Sequence, residues 1–242
     1  MPSYSPTDPA VLAFVVIPVV LVALFAWGCS YVAPPHQRIR IGRVALLAGA
    51  AWMAVTWRVA SSGVLRRWDA VPPPFFILLI AIVALACLIA FSPLGRRLAF
   101  GIPLWALVLV QLFRFPLELA MHRLATLGIM PEQMTYTGRN FDILTGATAL
   151  LVAWWLGTGR GGRTLALVWN VLGFLLLVNV VSVAVLSTPR FRAFGDDHLN
   201  VFVTYTPFIW LPAVMVLAAL AGHLLMLRTL TSGSRKSEVE SK

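Results

Sequence analysis

The stretch between Gln111 and Thr145 places charged residues inside apolar sequence. It reads QLFRFPLELAMHRLATLGIMPEQMTYTGRNFDILT. Gln111, Arg114, Glu118 and His122 are three, four and four residues apart. At about 100° per residue, this spacing puts all four on one stripe of a helix. Because ionisable groups at membrane depth are costly and usually face a bundle interior or a watery cavity, the stretch indicates the functional centre of a membrane protein.

The composition is typical of a chain that lies in lipid. Of the 242 residues, 60% are hydrophobic and 12% are charged, whereas soluble domains have about 45–50% apolar and about 25% charged residues. The net charge is +10, but the basic residues form short clusters between apolar runs, where positive charge orients membrane helices. Since no recognisable nucleic-acid-binding module is present, we expect the lipid bilayer, and no nucleic acid, as a partner.

Seven apolar runs predict an all-α polytopic integral membrane protein, a bundle of seven transmembrane helices. The expected spans are 10–32, 44–59, 75–91, 98–118, 141–157, 164–186 and 207–227. The fourth is expected to extend to about residue 127 as one helix bent at Pro116. Together they form a single transmembrane domain over residues 1–228. The polar residues 229–242 are predicted to be a disordered cytoplasmic tail.

Positive charge predicts the orientation of these helices, with the N-terminus outside and the C-terminus in the cytoplasm. The inner segments would then hold 11 of the 19 Lys and Arg residues: Arg38, Arg40, Arg43, Arg96, Arg97, Arg160, Arg163, Arg228, Arg235, Lys236 and Lys242. A fourth helix that starts at Leu98 rises about 1.5 Å per residue. Arg114 and Glu118 would therefore lie in the outer leaflet, and the polar stripe would open outward.

A ligand-binding or proton-handling site is predicted from seven residues of the stretch: Arg114, Glu118, His122, Asp142, Gln111, Arg139 and Asn140. The planar guanidinium of Arg114 suits a carboxylate or phosphate, and Glu118 could carry a proton. His122 and Asp142 would shape the mouth of the site. The i,i+4 spacing equally allows a structural ion pair between Arg114 and Glu118, and both interpretations stay open. No catalytic residue is indicated.

A metal site has weaker support in the sequence. Glu118 and His122 are one helical turn apart, and Asp196, Asp197 and His198 could supply further ligands. No second ligand motif accompanies them. We therefore predict neither a metal nor a cofactor.

The second half of the chain carries several short motifs: FRxPxE at 113–118, MTYTGRNFDILTG at 134–146, Trp169-Asn170, and PFIWLP at 207–212. Together they resemble an uncharacterised family of small bacterial multi-pass membrane proteins. The resemblance covers most of the chain after Leu98. It implies the bacterial inner (cytoplasmic) membrane, and it transfers no activity to any residue.

These features lead to three hypotheses of function. In the first, a polar, outward-opening pocket binds or transports a small anionic or amphiphilic molecule. In the second, the protein is a membrane-embedded enzyme that acts on a lipid or apolar substrate at the outer leaflet, with Glu118 and His122 as acid and base. In the third, it is a structural or assembly subunit whose polar stripe docks a partner membrane protein or another copy of the chain.

Overall fold

The computed structural model describes residues 5–240, with side chains as far as Ser232. Over that range the chain is all-helical, without strands. Its nine α-helices are α1 Pro9–Tyr31, α2 Arg38–Ser61, α3 Pro74–Phe91, α4 Pro93–Gly101, α5 Leu104–Val110, α6 Arg114–Thr126, α7 Ile143–Gly157, α8 Arg163–Leu186 and α9 Leu217–Glu240. The predicted all-α class is confirmed.

Six helical segments are long and apolar enough to cross a membrane, which supports a multi-pass membrane protein. They are Pro9–Tyr31, Pro35–Ser61, Pro74–Phe91, Leu104–Thr126, Arg163–Leu186 and Leu211–Ser232. Helix α7 is also apolar, but it has only 15 residues. The count of seven spans and their orientation stay predictions.

The region expected to form one bent fourth span is divided into three helices. Helix α4 ends at Gly101, α5 ends at Val110, and a 3₁₀ turn at Gln111–Phe113 precedes α6. Pro116 has no N–H to donate to the carbonyl four residues earlier, so one α-helical bond is lost next to that turn. The apolar segment starts at Leu104. Arg114 is therefore about 15 Å along that segment, and its predicted position in the outer leaflet stays a prediction.

The C-terminal helix is longer than the sequence indicates. The predicted last span ends at 227, and α9 continues to Glu240; the predicted disorder of residues 229–242 stays a prediction. Residues 241–242 of the predicted tail and residues 1–4 of the predicted domain lie outside the described residues. The cytoplasmic position of the tail stays a prediction.

A π-helical segment, Leu211–Val216, leads into α9 and is buried at the centre of the bundle. The indole of Trp52 in α2 donates a hydrogen bond to the Ala213 carbonyl (2.7 Å), and Trp210 donates one to the Met53 carbonyl (3.1 Å). Both bonds join α2 to the segment that leads into α9. They hold α2 against the irregular turn, and α3, α4, α5 and α8 pack around α9.

Candidate functional site

Arg114, at the first turn of α6, is the centre of a buried polar cluster. Only 1% of it is exposed. Its Nη1 atom lies 3.1 Å from Oδ1 of Asp142 and 3.1 Å from Nε2 of His223, and it donates to the Gly173 carbonyl at 3.4 Å. One side chain therefore joins α6 to the start of α7, to α8 and to α9. The Nε and Nη2 atoms of Arg114 have no hydrogen-bond partner among the described residues.

The hydrogen bonds around His223 determine which ring nitrogen carries the proton. A guanidinium only donates, so Nε2 must accept from Arg114, and Nδ1 must carry the hydrogen. Nδ1 lies 2.8 Å from Oδ1 of Asn170, which accepts that hydrogen. The amide of Asn170 donates to the His223 carbonyl at 3.2 Å. In this arrangement the imidazole is neutral, and the bonds tie α8 to α9.

Glu118 lies one turn after Arg114 on α6, and it is 2% exposed. Its Oε1 atom accepts a hydrogen bond from Nδ2 of Asn140 at 2.7 Å. Its Oε2 atom is buried and has no partner within residues 5–232. The ion pair that the i,i+4 spacing allows between Arg114 and Glu118 does not form, because Arg114 pairs with Asp142.

Asn140 connects the loop before α7 to the charged cluster. Besides Glu118, its Nδ2 atom donates to the Met134 carbonyl at 3.0 Å, and its Oδ1 atom accepts the backbone N–H of Asp142 at 2.9 Å. The side chain is fully buried. Asn140 therefore holds the carboxylate of Glu118 and the backbone of Asp142 in position.

An apolar cleft reaches the cluster from the side of the bundle. Its walls come from α3, α6, α8 and the π-helical segment, and Arg114, Glu118 and Asp142 lie at its polar end. The cavity volume of the cleft is about 60 Å³, which is several times the roughly 10–15 Å³ that one water needs. Leu79 of α3 and Val181 of α8 are half-buried and also line the cleft. The cleft therefore meets the apolar surface of the bundle at α3 and α8.

Of the seven predicted site residues, Arg114, Glu118 and Asp142 line this cleft, and Asn140 bonds to Glu118 behind it. The other three do not line it. Gln111 is fully buried and donates to the Ala219 carbonyl at 3.4 Å. His122 is half-buried, with Nδ1 3.4 Å from the Thr137 hydroxyl. The guanidinium of the exposed Arg139 lies 5.0 Å from the ring of Phe194. The structure thus brings together Arg114, Glu118, Asp142 and Asn140, from two segments of the chain.

Two members of the cluster, His223 and Asn170, are not among the seven predicted site residues. Each is a polar residue inside an apolar span, which is a signal of interhelical bonding or of function. They are 53 residues apart and more than 50 residues from Arg114. No local spacing could therefore have joined them to the predicted stripe.

The residues considered for a metal site do not assemble. Among the side chains that the structure describes, up to Ser232, no group of three or more His, Cys, Asp or Glu residues is placed to hold a metal ion. Asp196 pairs with Arg192 at 2.9 Å on the exposed surface, whereas Glu118 bonds to Asn140 inside the bundle. Asp197 and His198 lie with Asp196 in the same short 3₁₀ turn.

Comparisons with protein-family models, with curated proteins and with solved structures find no match for this chain. The resemblance to a bacterial membrane-protein family gains no support from them. The candidate site therefore has to be interpreted from its own geometry.

Gly173 gives a direct test of how closely the helices approach at the cluster. A Cβ atom at this position of α8 would lie 2.8 Å from Cε1 of His223 and 3.0 Å from Cγ2 of Thr145. We expect Gly173→Ala to lower the free energy of unfolding by about 1–3 kcal/mol because the core is overpacked. Chemical unfolding in a mild detergent, followed by tryptophan fluorescence, measures the change.

Gly157→Ala is the matched control for Gly173→Ala. Alanine favours the helix at both positions, but a Cβ at Gly157 has its nearest neighbour, Trp105, at an ordinary 3.6 Å. The control should be as stable as the wild type or slightly more stable. Equal stability of the two variants would contradict the close packing at the cluster.

Proposed function

We propose that this protein is a seven-span protein of the bacterial inner membrane, with its N-terminus outside and its C-terminus in the cytoplasm, that binds or transports an amphiphilic small molecule. The membrane-length helices and the clustered basic residues support this placement. The apolar α7 supplies the seventh span of the proposal.

The cleft is the observation that carries the proposed activity. An apolar chain can enter it from the bilayer beside α3 and α8, where the rim is half-buried. At the inner end, Oε2 of Glu118 and two nitrogens of Arg114 are buried without partners among the described residues. Binding sites for small molecules commonly combine apolar walls with a few well-placed polar groups. The arrangement suits a molecule with an apolar chain and a polar head.

The geometry favours binding over the enzymatic alternative. An acid–base pair has to reach the same substrate atoms. The hydrogen bonds of Glu118 and His122, however, lead to different places: Glu118 to the buried Asn140, and His122 to Thr137 in the loop that precedes α7. The assembly hypothesis has no comparable supporting contact in this single chain.

A cleft-blocking substitution tests the proposed function. Val181 lines the cleft and is half-buried, so the indole in Val181→Trp should fill the opening. We expect this variant to bind a fluorescent single-chain amphiphile at least tenfold more weakly, a loss of about 1.4 kcal/mol or more. Fluorescence titration of the purified protein in lipid nanodiscs measures the affinity.

Val178→Trp is the control for the cleft-blocking variant. Val178 lies on the same helix and is 46% exposed, and it is not part of the cleft lining. Its substitution should leave the affinity unchanged. If the two variants bind the amphiphile equally well, the cleft is not the binding site.

A further inference from the structure

The buried cluster at the end of the cleft carries an excess of negative charge. Arg114 contributes +1, and Glu118 and Asp142 contribute −1 each when ionised, which sums to −1. His223 adds no charge, because its two ring nitrogens accept from Arg114 and donate to Asn170. An uncompensated charge inside a bundle is costly. A proton or a bound cation has to balance it.

The hydrogen bonds and the ion pair of the cluster show which carboxylate carries the excess negative charge. Asp142 has Arg114 as its ion-pair partner at 3.1 Å, and Thr145 donates to it at 3.4 Å. Glu118 has a single hydrogen bond, from the neutral amide of Asn140, and its second oxygen has no partner among the described side chains. The uncompensated charge therefore belongs to Glu118, which lines the cleft.

No other charged group near Glu118 could supply this compensation. On its own helix, Arg114 is already paired, and His122 bonds to Thr137 in the loop. From the loop and from α9 come Asp142 and His223, which both contact Arg114. In the described part of the chain, the cleft walls formed by α3, α8 and the π-helical segment have no ionisable side chain. Asp8 of the N-terminal segment pairs with Arg123 near the far end of α6.

We propose that the cleft takes a single-chain cationic amphiphile, and that Glu118 gives up a proton when the cation binds. This inference rests on the proposed amphiphile-binding function. The exchange is balanced: Oε2 loses one proton to solvent, and one positive headgroup takes its place, so the charge of the buried site does not change. An anionic headgroup, which the sequence favoured on account of Arg114, would instead add to the excess negative charge.

Two further features of the cleft fit such a cation. Phe75 and Phe113 are in its lining, and aromatic faces attract cations with weakly hydrated alkyl groups. The small enclosed volume admits a compact headgroup, while one alkyl chain can extend through the rim into lipid.

The test compares amphiphiles that share a dodecyl chain and carry compact headgroups of different net charge. Dodecyltrimethylammonium, dodecyldimethylamine oxide (net neutral near pH 7) and dodecyl sulfate compete with the fluorescent amphiphile for the full-length protein in nanodiscs. We expect the cation to bind at least tenfold more tightly than the other two, and its affinity to rise as the pH is raised. Calorimetry in two buffers of different ionisation enthalpy should show about one proton released per cation bound.

Glu118→Gln and Glu132→Gln are the matched variants, since both remove one carboxylate and keep its shape. Glu132 is exposed in the loop before α7. Glu118→Gln should weaken binding of the cation at least tenfold and abolish the release of the proton, whereas Glu132→Gln should behave like the wild type. The wild-type proton count tests the proposal even if Glu118→Gln does not fold.

The outcomes separate this inference from the proposed function. If Val181→Trp weakens the binding of none of the amphiphiles, the proposed function is wrong. If binding is sensitive to Val181→Trp but the anion or the neutral compound binds as tightly as the cation, only the cation inference is overturned. Binding of the cation without release of a proton also overturns it.

Discussion

Arg114→Met is expected to lower the free energy of unfolding by about 3–5 kcal/mol, because removing one partner of a buried ion pair leaves the other charge uncompensated. Asp142 would lose the one ion-pair partner it has in the described part of the chain, and its buried charge would be left without a counter-charge. His223 and the Gly173 carbonyl would each lose a donor as well. Methionine keeps much of the volume, so the loss reports on charge and hydrogen bonding more than on a cavity. Unfolding by a denaturing detergent, followed by tryptophan fluorescence, measures it.

Two comparisons make this prediction specific to the buried pair. The double variant Arg114→Met/Asp142→Asn removes both charges of the pair, so the net charge of the cluster is the same as in the wild type, and it should recover a large part of the lost stability. Arg192→Met breaks an ion pair with Asp196 on the exposed surface, where such pairs contribute little. If Arg114→Met were as mild as Arg192→Met, Arg114 would not hold the bundle together.

The second large effect is expected at Asn140. Asn140→Ala removes the one donor that Glu118 has among the described residues, and it takes a partner from the backbone N–H of Asp142 and from the carbonyl of Met134. It should lower the free energy of unfolding by about 2–4 kcal/mol. The loop before α7 should also become easier to cleave with a protease, since this side chain anchors it to α6. The free energy of unfolding and the rate of proteolysis are both measurable on the protein in detergent.

Asn179→Ala is the control for Asn140→Ala. Asn179 makes one bond to the backbone of the same loop, to the Arg139 carbonyl at 2.8 Å, but it is only half-buried. Its removal should change stability and proteolysis much less. Equal effects of the two substitutions would show that the loop is held by its general packing and not by Asn140.

The position of the charged cluster could be predicted in part from spacing along the chain. Arg114 and Glu118 share a helical face because they are four residues apart, and both are buried as expected. The same spacing placed Gln111 and His122 on this stripe. Gln111 lies in a 3₁₀ turn that interrupts the helix before Arg114. His122 lies in the last part of α6, and its ring contacts Thr137 of the following loop. A periodic pattern assumes a regular helix, and the chain departs from one next to Pro116.

The pairing of the charges could not be predicted in the same way. Local spacing favoured an ion pair between Arg114 and Glu118, yet Arg114 pairs with Asp142, and Glu118 bonds to Asn140. The partners of Arg114 on α8 and α9, Gly173 and His223, are 59 and 109 residues away. Which of several possible partners a buried guanidinium meets depends on how the helices cross.

The sequence alone determined that the chain is helical and suited to a lipid bilayer. Apolar runs of membrane length need lipid as their solvent, and in lipid a helix pairs their backbone groups. It also marked Arg114, Glu118, Asp142 and Asn140, since polar groups in such surroundings are costly enough to stand out. Only the tertiary structure decided that these residues meet His223 and Asn170, that the cleft reaches them from the side of the bundle, and that one carboxylate oxygen of Glu118 is left without a partner. Those facts depend on contacts between distant helices, and such contacts follow from packing in three dimensions rather than from the period of any one helix.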